Sequence, residues 1–127
     1  MDALTAIRNA LLPITSEHGW PLEPEIYDGD KDYYITYNYA DINGVDFSDD
    51  MPSCDVADVQ IHFFMPAETE DHRKLDYWNY KVSIRHALFS NGFTYPSLTI
   101  QSERSEDRQT DCWHLIFECE YTEEADT

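Results

Sequence analysis

The side chains able to do chemistry here are histidines, cysteines and carboxylates, and their spacing decides which chemistry is open. The five histidines, His18, His62, His72, His86 and His114, form no H-x-x-x-H and no H-E-x-x-H pair, so the helical zinc spacing of metalloproteases is missing. Cys112 and His114 stand two apart, which on a strand places both on one face and offers two ligands. A structural zinc site wants four, and no second pair stands at a suitable distance, so no metal is expected. Asp28-x-Asp30-x-Asp32 opens like a calcium loop, but its sixth position is Tyr33 instead of glycine and its twelfth is Tyr39 instead of glutamate. A turn with solvated charges is the better reading. Serines and cysteines lack a nucleophile-elbow context, and the four glycines build no phosphate loop. Among 26 acids nothing singles out a catalytic pair. The pattern predicts no enzyme, no cofactor and no metal site.

What remains is the chemistry of surfaces. The 26 acids face only 8 Lys+Arg, for a net charge of −18. Such a chain repels nucleic acid and anionic membranes, and the few basic residues form no stripe. It suits a basic protein partner, the lining of a nucleic-acid passage, an imitation of DNA, or simply a soluble surface in an acidic proteome. Three cysteines without a C-x-x-C pair fit reduced thiols better than a disulfide framework. No apolar run is long enough for a transmembrane helix, and the start MDALTAIRNALLPI is too short and polar for a secretory signal. A soluble intracellular protein is expected. Its 127 residues, 42% hydrophobic and 14% aromatic, predict a single domain with one core.

The elements that would position these surfaces follow from periodicity. Ala57, Val59, Ile61, Phe63 and Met65 alternate with Asp58, Gln60 and His62, which predicts a half-buried strand ended by Pro66. A long helix over about 70–91 follows, with Thr69 as N-cap and Asn91-Gly92 as a left-handed stop onto which Phe93 folds back. Leu75, Trp78, Val82 and Phe89 make one apolar stripe on it, and Tyr77, Ile84 and Leu88 a second on roughly the opposite side. One stripe suffices for a surface helix, so two place it between the sheet and either the N-terminal helix or a neighbouring subunit. Residues 2–12 predict a short helix ended by Pro13, followed by a loop with a short extended piece at Ile26-Tyr27. Tyr33 to Ile42 reads as a strand with Tyr33, Ile35, Tyr37 and Tyr39 on one face. Residues 43–54 form a long polar loop suited to a partner, and Ser102–Asp111 a charged hairpin loop. The last strand carries Trp113, Leu115, Phe117, Cys119 and Tyr121 on one face, and an acidic frayed tail begins at about 122. The sum is an α+β domain: about four to five mostly antiparallel strands packed against a long helix and a short N-terminal one.

Several stretches together resemble a known family. They are the N-terminal MDALTAIRNALLPI, the aromatic Tyr33–Tyr39, and Val59–Phe64 with Pro66. The helix end Ile84–Leu88 closed by Gly92-Phe93-Thr94-Tyr95-Pro96 completes the set. Over most of the chain the order resembles small tail-completion or tail-terminator (head–tail joining) proteins of long-tailed phages and prophages of Gram-positive bacteria. The resemblance implies a compact α+β subunit that assembles as a ring, commonly a hexamer, at the head-proximal end of the tail. Its partners would be further copies of itself, the tail tube protein and the head connector or stopper. It would occupy the host cytoplasm during assembly and the virion afterwards, and the family brings no catalytic residues. In such a ring, Tyr33, Tyr37, Tyr39 and Trp78 are candidate subunit contacts. Asp46, Asp49, Asp50, Glu103, Glu106 and Asp107 are candidates to reach a neighbouring ring, against the plainer reading of solvated loops.

The competing function is an acidic DNA mimic that inhibits a host nuclease or DNA-binding protein. A mimic wants acids tracking phosphates along one exposed face, whereas these cluster at loops and termini between tyrosine-rich faces. A small enzyme would need a pocket of convergent polar groups, which no motif marks.

Overall fold

A computed structural model describes residues 1–29, 31, 33–40, 54–66, 71–105 and 110–124, with side chains at all of these except 54–55, 71–78, 102–105, 110–111 and 124. The elements run α1 (Ala3–His18), β1 (Leu22–Pro24), β2 (Tyr34–Tyr39), β3 (Cys54–Pro66), α2 (Asp71–Ser90), β4 (Ser97–Ser105) and β5 (Thr110–Glu124). The five strands make one mixed sheet in the order β1-β2-β3-β5-β4. Only β1 is parallel to its neighbour; the other pairings are antiparallel. The protein is therefore α+β, with a five-stranded mixed sheet and two helices among the described residues.

β3 is the central strand, and its alternation decides which face is dry. Val59, Ile61, Phe63 and Met65 are essentially fully buried, and Ile35, Tyr37, Leu115 and Phe117 join them from β2 and β5. Ala3, Ala6, Ile7, Ala10 and Leu11 of α1, with Ile84 and Leu88 of α2, close this face from the other side. Each large aliphatic or aromatic side chain so buried contributes about 1.5–3 kcal/mol relative to exposure. Pro66, the last residue of β3, ends the strand as its missing N–H predicts.

α1 differs from its expected boundaries. It passes through Pro13 and ends at His18. Proline inside a helix displaces the carbonyl four residues earlier, here that of the exposed Asn9, where water can take over the bond. Beyond it Thr15 is buried, and Gly19 at φ 72 provides the left-handed stop, with Trp20 N–H donating to the Thr15 carbonyl at 2.9 Å. The contrast in helix length is therefore smaller than expected, 16 residues in α1 against 20 in α2. Thr69, the expected cap of α2, lies outside the described residues. At its other end Gly92 takes φ 97, Phe93 N–H donates to the Leu88 carbonyl at 3.2 Å, and the Phe93 ring packs on Tyr121.

Three further expectations are corrected. The short strand is Leu22–Pro24, not Ile26-Tyr27: Leu22 enters the core, whereas Ile26 is 75% exposed. The expected hairpin loop Ser102–Asp111 is largely strand, since β4 and β5 pair from Ser97↔Glu118 to Ser105↔Thr110. The acidic tail is not frayed at its start, because β5 continues to Glu124. Glu123 accepts hydrogen bonds from Ala3 N–H at 2.6 Å and Tyr39 Oη–H at 2.7 Å. A carboxylate suits the positive end of α1, so an acid read as solvated tail is a structural anchor.

Candidate functional site

The sheet has a second face, set by the even positions of β3, and no described helix packs on it. Here His62 stands between two partners. Its Nε2 lies 3.1 Å from Asn38 Oδ1, and its Nδ1 lies 2.7 Å from His114 Nε2. Asn38 Nδ2–H donates to the Tyr39 carbonyl at 2.9 Å, which fixes the amide with its oxygen toward His62. His62 therefore donates from Nε2 and, in the neutral pair, accepts at Nδ1 from His114 Nε2–H. The array continues through stacked rings: His114 on Phe64 at 4.2 Å, Phe64 on Tyr34 at 4.6 Å, and Tyr34 beside Tyr27 at 4.7 Å.

His114, weighed with Cys112 as a pair of ligands, is thus committed on one ring nitrogen to His62. His114 directs Nε2 at His62, and two imidazole nitrogens in hydrogen-bond contact are engaged with each other. Among the described residues no group of three or more His, Cys, Asp or Glu is placed to hold a metal ion. The Cys119 thiol is pushed up to about 12 by burial and secondarily by Glu120, which keeps it protonated and unreactive at neutral pH. Nothing in the sequence reading singled out His62 with His114. Both fall on outward positions of strands, but they lie 52 residues apart, and only the β3–β5 register brings them together.

Further along this face the same two strands present carboxylates. Asp58 stands directly opposite Glu120, and Glu118 opposite Gln60, the next pair on the same face. All three acids are exposed. Like charges directly across a ladder are destabilising.

The helical layer exposes a different surface. Ile84 and Leu88 point α2 into the core, and helical geometry turns Val82 and Phe89 to the opposite side. Val82 is 48% and Phe89 56% exposed, and Tyr95, 62% exposed, packs edge-on against Phe89 at 5.9 Å between ring centroids. The Arg85 guanidinium lies 5.2 Å from the centre of the Tyr95 ring, and its Nε has no hydrogen-bond partner among the described residues. Two turns of the helix thus carry an apolar strip edged by a cation. Val82 and Phe89 are the members with described side chains of the expected stripe Leu75, Trp78, Val82 and Phe89.

The other predicted contact residues are placed variously. Tyr37 is 4% exposed and belongs to the core of the single chain. Tyr33 is half-buried in a cluster with Trp20, Phe63 and Tyr80, on which His18 also stacks. Tyr39 is half-buried and directed to Glu123; burial, then that carboxylate, pushes its phenol up to about 12. Glu103 sits in β4 opposite Cys112, at a strand position and not in a loop. The side chains of Trp78 and Glu103 lie outside the described residues, as do Asp46, Asp49, Asp50, Glu106 and Asp107 altogether. The structure thus places Tyr37 and Tyr39 in β2 and Tyr33 just before it, and does not bring the three to one exposed surface.

Among the described residues, no helix is long and apolar enough to cross a membrane. Compared with protein-family models the chain has no match, and compared with curated proteins it has none either.

Proposed function

We propose that this chain is a non-catalytic, self-associating structural subunit of a phage tail, of the tail-completion or tail-terminator kind. It would form a ring, commonly of six copies, at the head-proximal end of the tail and meet the tail tube and the head connector. One observation carries the self-association: Val82 and Phe89 lie exposed on the face of α2 opposite Ile84 and Leu88. An apolar strip on a helix already anchored by its other side is suited to a protein contact. The family resemblance of the aromatic β2 segment, β3 and the α2 end supplies the kind of assembly. The surplus of acid would make a ring a negatively charged collar through which DNA passes without adhering.

The test is mass by light scattering after size exclusion, across protein concentration and at low and high salt. Screening relieves the repulsion between highly charged copies, so growth toward a hexamer with salt is the expected result. A strict monomer under all conditions, together with tight binding to a basic nuclease, would replace this reading with the DNA-mimic inhibitor. The tail assignment is tested separately, by electron microscopy of tail tubes mixed with the protein; tubes left open at both ends would refute it.

A further inference from the structure

The distribution of charge along the chain specifies how two copies meet. α2 holds four of the eight Lys and Arg (Arg73, Lys74, Lys81 and Arg85) but only two of the 26 acids, Asp71 and Asp76. Among the described elements it alone carries a net positive charge, and it also carries the exposed strip of Val82 and Phe89. The opposite pattern appears on the outer sheet face, where Asp58, Glu118 and Glu120 are exposed on neighbouring strands and Asp58 directly faces Glu120. Within one chain that juxtaposition costs stability. A cationic partner would reverse its sign.

We infer that the outward face of α2, with Val82 and Phe89 bordered on one side by the half-buried Arg85 and, beyond it, Lys81, docks on the Asp58–Glu118–Glu120 face of a second copy. This deepens the proposed self-association and rests on it. The contact is heterologous: one patch meets a different patch, so each copy keeps one of each free for the next neighbour, as a ring requires. The isologous alternative sets α2 against α2, bringing Lys81 and Arg85 of both copies together with little acid between them. A nucleic-acid occupant is disfavoured by the net charge of −18. A second copy brings its own acids to the cation, so the same composition that repels phosphates favours this pairing. Arg85, held over the Tyr95 ring, is pre-oriented at the edge of the strip.

The experiment uses complementary charge reversals in the full chain. Lys81→Glu with Arg85→Glu spoils the helical patch, and Asp58→Lys with Glu118→Lys and Glu120→Lys spoils the sheet patch. Each variant alone is expected to lose self-association by about a hundredfold or more in apparent Kd. An equimolar mixture is expected to regain assembly beyond the dimer, since the intact patches pair and the two reversed patches are complementary to each other as well. Assembly of the Lys81→Glu, Arg85→Glu protein at wild-type strength would overturn the docking mode while leaving self-association standing. A wild-type protein that stays monomeric would overturn both. Circular dichroism checks that each variant folds; should the helical charge variant fail, Phe89→Asp serves as the second probe, because Phe89 lies outside the core.

Discussion

The two helices contribute to one core and differ in what is left over. α1 places Ala3, Ala6, Ile7, Ala10 and Leu11 in the core, the alanines allowing close approach to the strands. Its ends are satisfied within the chain: Asp2 accepts from Thr5 N–H at 2.7 Å, Glu123 from Ala3 N–H, and Thr15 receives the closing donors. α2 buries Ile84 and Leu88 yet leaves Val82 and Phe89 in water, on an element that holds half of the chain's Lys and Arg. The ends of α1 are satisfied within a single copy, whereas α2 leaves Val82 and Phe89 uncovered, and the proposed self-association rests on that difference.

The sharpest way to break this comparison is substitution at matched positions. Leu11→Ala in α1 should cost about 2–5 kcal/mol, since Leu11 is fully buried and a cavity would remain. Urea unfolding followed by tryptophan fluorescence reads this directly. Phe89→Ala should change the unfolding of the isolated chain by no more than about 0.5 kcal/mol, while weakening self-association. A large loss of monomer stability from Phe89→Ala would place that ring in the chain's own core and erase the contrast.

Smaller effects test how α1 is completed. Gly19→Ala should cost about 1–2 kcal/mol, because φ 72 strains any side chain with a Cβ. Tyr39→Phe removes a donor from Glu123 and should cost about 1 kcal/mol at neutral pH. The pH dependence has a definite sign. Tyr39 rises from its ordinary 10.0 to about 12 in the folded protein. Its contribution is therefore complete below pH 10 and is lost as pH climbs toward about 12. Chemical denaturation in alkali should show this loss in the wild type and not in Tyr39→Phe. Asp2 behaves oppositely, being lowered first by the Thr5 backbone hydrogen bond. Its contribution is present above the ordinary carboxylate value and disappears as pH falls through the lowered one, so Asp2→Ala should flatten that acid limb slightly.

Local periodicity made the inner sheet face legible from residues alone. The odd positions Val59 to Met65 alternate so regularly that the core side of β3 follows without tertiary information. The second stripe of α2 was legible for the same reason. The errors arose where local signals met long-range partners. Pro13 reads as a stop, but the stretch beyond it has a buried Thr15 and a glycine cap that reward continuing the helix. Glu123 reads as tail because nothing in Thr122–Thr127 announces that residue 3 lies beside it. The His62–His114 contact depends on the alignment of β3 with β5, information that one strand's composition does not contain. Tyr37 reads equally well as core or interface, since tyrosine serves both, and packing decided for the core.

The Asn38–His62–His114 chain has a meaning for folding as well as for the outer face. It runs across β2, β3 and β5, one residue from each strand. β3 and β5 are separated in sequence by α2 and β4, so no tight turn dictates how they align. A slip by one residue turns each side chain to the wrong face, and a slip by two keeps the apolar pattern but breaks this directional relay. Hydrophobic alternation is compatible with every second alignment of these strands, and the three polar side chains meet in one of them.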